Sequence, residues 1–155
     1  MLYSRVLPFT GSKNMKIRSY IDDDYYFTRD LHRENMLSYI EKYWGGWNSE
    51  VYKNDLLPEN TWIIEYNNEK AGFFVLTFDG RADLSNIQIQ SSFRNKGLGT
   101  QVLKYCESAS IKKGFDCLFL QSFLENKARH LYERLGFKTY DITNSHYLMK
   151  KELNS

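Results

Sequence analysis

The stretch Ser91-Ser92-Phe93-Arg94-Asn95-Lys96-Gly97-Leu98-Gly99-Thr100 constrains this chain most, because it lies between two segments of different hydrophobic period. Before it, Leu84 to Gln90 alternates as a strand does, with Ile87 and Ile89 on one face and Gln88 and Gln90 on the other. After it, Leu98 to Lys113 carries Leu98, Val102, Cys106 and Ala109 along one helical stripe, ending at Lys112, Lys113 and Gly114. A strand, a glycine-containing loop and a helix start, in that order, aim several backbone N–H groups at one point, where the helix dipole adds partial positive charge. Such a place binds phosphate. Arg94 and Lys96 add full charges, and the Thr100 hydroxyl can donate as well. Two familiar phosphate loops are excluded. No G-x-x-x-x-G-K-[ST] run exists, and Gly97-x-Gly99 is followed by Val102 where the dinucleotide fingerprint needs a third glycine or alanine.

The rest of the chain reads as a mixed α/β domain. Ile17 and Tyr20 suggest a short strand, Asp22 to Asp24 open a helix toward Leu31, and His32 to Tyr43 forms a second helical stretch ending at Gly45 and Gly46. Ser49 to Leu57 makes another short helix, closed by Pro58. Trp62 to Tyr66 and Gly72 to Phe78 read as strands joined by a tight turn over Asn67 to Lys70, and Asp79-Gly80 is a hairpin signal before the strand from Leu84. Beyond the long helix, Cys117 to Leu120 is a buried strand, Asn126 caps a helix with Ala128, Leu131, Tyr132 and Leu135 inward, and strands Phe137 to Ile142 and His146 to Glu152 follow. The expected order is β-α-α-β-β-β-α-β-α-β-β, within one domain over 15–155 after an irregular extension over 1–14.

Charge and cysteine usage narrow the chemistry. A net charge of +2 is too small for a nucleic-acid protein, and the positive charges alternate with apolar positions rather than forming a stripe. Residues 1–93 carry 10 Lys and Arg against 13 Asp and Glu, and residues 94–155 carry 11 against 6, so either an anionic ligand prefers the second part or the imbalance is ordinary scatter, and charge alone does not choose between them. Cys106 and Cys117 form no CxxC pair, and the three histidines are scattered, so no metal is expected and reduced thiols in a cytoplasmic protein are. No apolar run reaches the ~20 residues that span a bilayer, and Arg5 and Pro8 interrupt the opening segment, so neither a membrane nor a secretory signal is expected.

The run Arg94-Asn95-Lys96-Gly97-Leu98-Gly99 matches R-x-x-G-x-G and resembles the acetyl-CoA pyrophosphate loop of the GCN5-related N-acetyltransferases. Downstream, Asn126-Lys127-Ala128-Arg129-His130-Leu131-Tyr132-Glu133-Arg134-Leu135-Gly136-Phe137 resembles the family's second signature, one helix and one strand later. The two together make the resemblance specific, and it extends from Met15 to about Glu152. Trp44-Gly45-x-Trp47 and His146-Tyr147-x-Met149 look like features of a bacterial subgroup of these enzymes.

The resemblance implies the GNAT acyl-CoA N-acyltransferase fold, a mixed, mostly antiparallel sheet flanked by helices, and transfer of acetyl from acetyl-CoA to a primary amine in a ternary complex. Carried over residue by residue, backbone N–H groups from Asn95 to Thr100, with Lys96, Gly97, Leu98 and Gly99 between them, hold the pyrophosphate. Ile89 and Gln90 pair with the pantetheine arm as if it were a strand, and the Ile89 N–H faces the thioester carbonyl. Tyr132 donates to the leaving sulfur, or serves as an apolar core residue on its helix stripe. Asp83 stands where some members carry a glutamate base, or is a solvated hairpin aspartate, with water as the alternative base. Asn126 bonds the pantetheine arm, caps its helix, or does both, while Arg129 approaches a phosphate or is a solvated helix charge. Gln88 and Gln121 either line the acceptor slot or occupy exposed sheet positions.

The acceptor expected is a cationic amine, met by Asp22 to Asp24, Glu34, Glu41 and Glu50 together with Tyr43, Trp44 and Trp47. The bland reading of the same residues is core aromatics under a solvated charged face. The resemblance also allows a homodimer. A second reading, from another class, is a sensing or interaction module that keeps the acyl-CoA pocket without turnover.

Overall fold

The computed structural model describes residues 6–7 and 14–153. The irregular extension expected over 1–14 lies outside the described residues apart from Val6, Leu7 and Asn14. The strands are β1 (Val6–Leu7), β2 (Met15–Ser19), β3 (Thr61–Tyr66), β4 (Glu69–Thr77), β5 (Ala82–Ile89), β6 (Cys117–Phe123), β7 (Lys138–Ile142) and β8 (His146–Glu152). The helices are α1 (Tyr25–Trp44), α2 (Ser49–Asn54), α3 (Leu98–Lys112) and α4 (Ala128–Arg134). From Met15 onward this is the order read from the sequence. The strand order is β1-β2-β3-β4-β5-β6-β8-β7.

The backbone divides into two compact units, one within Met1–Val75 and Asn86–Lys96, the other within Leu76–Ser85 and Gly97–Ser155. In the first, β2 pairs antiparallel with β1 and with β3, and β3 pairs antiparallel with β4. The β3–β4 turn is tighter than the four residues expected: Asn67 and Asn68 alone make it, both at positive φ (52° and 66°), as a two-residue hairpin of matching twist requires. Ile63 and Phe73 face Leu31 of α1 in a cluster flanked by Tyr20, Phe27 and Val75. The two helical stretches expected before Gly45 are one 20-residue helix, α1, since no glycine or proline stands between Asp22 and Trp44 to break it. It ends where Gly45 takes φ 82°.

In the second unit β6 pairs antiparallel with β8, and β8 with β7. The start of β5 runs parallel to β6 over Ala82↔Leu118, Asp83↔Phe119 and Leu84↔Leu120. A parallel pair needs a crossover, and α3 supplies it. That helix buries Leu98, Val102, Leu103 and Cys106, so the apolar stripe seen in the sequence is the packed one. Cys106 is buried and Cys117 half-buried, both as free thiols, and burial holds both above the ordinary thiol range.

Candidate active site

In the first unit lie the end of β5 and the residues that pack on it. At the end of β5 the Gln90 N–H donates to the Ala71 carbonyl at 2.8 Å, and Phe93 N–H and Arg94 N–H close a 3-10 turn on the Gln90 and Ser91 carbonyls. The approach of β4 is close enough that a Cβ on Gly72 would lie 2.2 Å from the Gln88 carbonyl oxygen, so only glycine fits there. Arg94 turns back on its own strand: Nε and Nη2 donate to the Ile89 carbonyl at 3.3 and 3.1 Å, and Nη2 also donates to Asn35 Oδ1 at 2.9 Å. Lys96 is exposed and stands 5.9 Å from the Tyr66 ring. Of the two cations flanking the loop, Arg94 is thus held by its own strand and by Asn35.

Gln88 is buried, against the alternation read from the sequence, which put it opposite Ile87 and Ile89 as either a slot lining or an exposed position. The reason is partnership. Its Oε1 accepts from Asn35 Nδ2 at 3.0 Å and its Nε2 donates to Asn86 Oδ1 at 2.9 Å, so the amide is satisfied on both sides. Asn86 Nδ2 in turn meets His32 Nδ1 at 3.1 Å. An amide nitrogen only donates, so His32 Nδ1 accepts and the ring is the neutral Nε2–H tautomer. Burial lowers the His32 pKa to about 4 despite the opposing Asn86 contact. His32, Asn35 and Asn86 were not read as functional residues in the sequence. The one signal for them is that His32 and Asn35 sit one turn apart on a helix, opposite alternate polar residues of a strand.

Several members of the acceptor set have other partners. The Asp24 carboxylate is fully buried and receives Arg18 at 2.8 Å, Lys70 at 2.7 Å and the Ile21 N–H at 2.9 Å. Burial alone would raise its pKa, but these donors outweigh it and lower it to about 2. Trp47 lies beside the His32 ring at 6.0 Å and the Tyr52 ring at 5.5 Å, with the Arg33 guanidinium 5.9 Å from its own ring. Trp44 is exposed.

In the second unit lie the start of α3, α4 and Asp83. Gly97 takes φ 77° at the N-cap of α3, and Asn95 before it takes φ 63°, so the loop carries two left-handed residues within three positions. The first intrahelical bond runs from Gln101 N–H to the Gly97 carbonyl. Among the described residues no side chain caps this helix, and the N–H groups of Leu98, Gly99 and Thr100 have no intrahelical partner. Tyr132 is buried on α4, edge-on to Phe137 at 6.2 Å, and burial raises its pKa to about 12. Asn126 Oδ1 accepts the Ala128 N–H at 2.9 Å, the capping half of its expected pair of roles. Asp83 pairs with Arg81 at 3.2 Å, and that guanidinium lies 4.1 Å from the Phe119 ring. Arg129 pairs with Glu133 at 2.8 Å and stacks over Tyr147, and Gln121 is exposed. Among the described residues no group of three or more His, Cys, Asp or Glu could hold a metal ion, and no helix is long and apolar enough to cross a membrane.

Comparison with known proteins bears on the same elements. Residues 58–139, more than half of the chain, match the family described as the acetyltransferase (GNAT) domain, a span that draws on both compact units and contains the loop. The chain is 37% identical over 78 residues to the uncharacterized N-acetyltransferase YobR of Bacillus subtilis (strain 168), covering 50% of this chain and 31% of that protein. It is 35% identical over 89 residues to the [ribosomal protein bS18]-alanine N-acetyltransferase of Haemophilus influenzae, covering 57% of this chain and 60% of that protein. The chain therefore spans about a third and about three fifths of these relatives' lengths. Among solved structures, the PaiA N-acetyltransferase of Thermoplasma acidophilum in complex with coenzyme A shares the fold, with a TM-score of 0.72 at 18% identity over 89% of this chain and 98% of that one. The chain belongs to the GNAT acetyltransferase family.

Proposed function

We propose that this protein is an acetyl-CoA-dependent N-acetyltransferase that moves acetyl to a primary amine in a ternary complex. The observation that carries this is the uncapped start of α3 behind a loop with two left-handed residues, lying within the family match. Backbone N–H groups from Asn95 to Thr100 hold the pyrophosphate, and exposed Lys96 adds the nearby full charge. Ile89 and Gln90 receive the pantetheine arm, and the Ile89 N–H polarises the thioester carbonyl. Gln90 is the weaker partner of the two, since its N–H and carbonyl already bond Ala71 and Phe93.

The neutral amine attacks the thioester carbon, forming the C–N bond. As the C–S bond breaks, Tyr132, which burial keeps protonated until that moment, gives its proton to the departing sulfur and regains one from solvent. The ammonium proton goes to Asp83 or to water. Water is the stronger candidate, because Asp83 Oδ2 is already engaged by Arg81 at 3.2 Å. Asn126 steadies the pantetheine arm while capping α4. An amine acceptor, cationic before it loses its proton, and a cytoplasmic site of action complete the reading.

Titration of the intact chain with acetyl-CoA by calorimetry, followed by free-thiol detection over an amine panel, tests it. Binding near the micromolar range together with thiol release on at least one amine supports the proposal, and no binding at all sinks it. The Arg81 hold on Asp83 favours one other reading, an acyl-CoA-binding module without turnover. Binding with no thiol release on any amine, and no effect of Tyr132→Phe, selects that reading.

A further inference from the structure

The peptide joining Ile89 to Gln90 is pinned from both edges. Its N–H, on Gln90, donates to the Ala71 carbonyl of β4 at 2.8 Å. Its carbonyl, on Ile89, accepts Arg94 Nη2 at 3.1 Å, Arg94 Nε at 3.3 Å and Asn35 Nδ2 at 3.3 Å. Because N–H and C=O of one strand residue point to the same edge, the Ile89 N–H leaves on the edge turned away from Ala71. Fixing the Ile89 carbonyl sets one of the two peptide planes that meet at Ile89, and so narrows the directions its N–H can take.

Asn35 does this from α1. Its Oδ1 holds Arg94 at 2.9 Å, and its Nδ2 is shared between the Ile89 carbonyl and Gln88 Oε1. The hydrogen bonds run one way, from Arg94 to Asn35, Gln88 and Asn86, and end on the lone pair of neutral His32. A chain that begins at a permanent cation and ends at an acceptor leaves no amide free to flip without breaking two bonds. Hence the Asn35 amide is held in one orientation.

The geometry points to Asn35 as a positioning residue for acetyl transfer: with Arg94 it clamps the Ile89 carbonyl and so directs the Ile89 N–H at the thioester. The inference rests on the proposed acetyl-CoA site. It also assigns Arg94 to the strand rather than to the phosphate.

The test uses acetyl-CoA labelled with carbon-13 at the thioester carbonyl, whose infrared stretch falls when a donor polarises it, a readout that needs no acceptor, followed by thiol release on any amine of the panel that supports turnover. Wild type should bind and lower the stretch. Asn35→Leu, and the isosteric Asn35→Asp in case the first misfolds, should return most of that fall while acetyl-CoA Kd changes by less than about threefold, with thiol release about tenfold slower, less than the roughly 100-fold or greater cost of removing a donor outright because the Ile89 N–H is misaimed and not lost. Arg94→Gln combined with Asn35→Asp should cost little more than the worse single change, because the two act through one carbonyl. Failure of wild type to bind would remove the acetyl-CoA reading itself. Binding with an unshifted wild-type stretch, an unchanged stretch in both folded Asn35 variants, or strictly additive losses would overturn the positioning role alone.

Discussion

At the scale of single residues, Tyr132 carries the sharpest expectation. Burial on α4 raises its pKa to about 12, so the phenol stays protonated across the working range and can act only as an acid. Tyr132→Phe keeps the ring and its edge contact with Phe137 and removes only the hydroxyl. The turnover number should fall about 100-fold, the lower range for a lost general acid, with acetyl-CoA affinity nearly unchanged. Steady-state rates beside calorimetry check this, and equal turnover in the two proteins would return Tyr132 to a packing role. In the sequence a fixed spacing singles out Tyr132, and the structure shows the buried position on α4 that its helix stripe implied. Arg94 was only half legible: its identity follows from the motif, yet its direction, inward to Ile89 and Asn35, depends on an α1 residue 59 positions away. No local pattern encodes that distance.

Elements were legible where their period was unbroken. The α3 stripe follows directly from apolar spacing, and the β3–β4 hairpin does too, although its turn is two residues shorter than the one read from the sequence. Gln88 was not, because strand alternation assigns faces only when polar means exposed, and here Asn35 and Asn86 satisfy a buried amide. The α1–β5 layer has a measurable signature in His32. Its folded pKa is about 4 against an ordinary 6.5, so the unfolded chain binds the extra proton first as pH falls. Stability present above pH 6.5 is therefore lost progressively down to pH 4, by up to about 3 kcal/mol for a shift of this size. His32→Gln, which keeps an acceptor for Asn86 and cannot titrate, should flatten that part of the profile. Urea unfolding at pH 7, 6, 5 and 4 reads it directly, and parallel profiles for wild type and variant would show that His32 titrates as in the unfolded chain.

At the scale of the molecule, a ligand that binds only the folded chain must stabilise it, by an amount set by concentration over Kd. With acetyl-CoA at about 1,000 times Kd the gain is about 4 kcal/mol. For a chain of this length that raises Tm by about 8 to 16 °C. The control is Gly99→Glu. Gly99 lies in the first turn of α3, which holds no acidic residue, so a glutamate there suits the helix dipole and should leave the Tm of the free protein unchanged or slightly higher. The same carboxylate stands where the diphosphate must sit, so the acetyl-CoA-dependent rise should vanish. Differential scanning calorimetry over a series of acetyl-CoA concentrations separates the two effects: wild type climbs with the logarithm of concentration, while Gly99→Glu stays level from an equal or higher start. A variant that still climbs in parallel with wild type would place the diphosphate somewhere other than the start of α3.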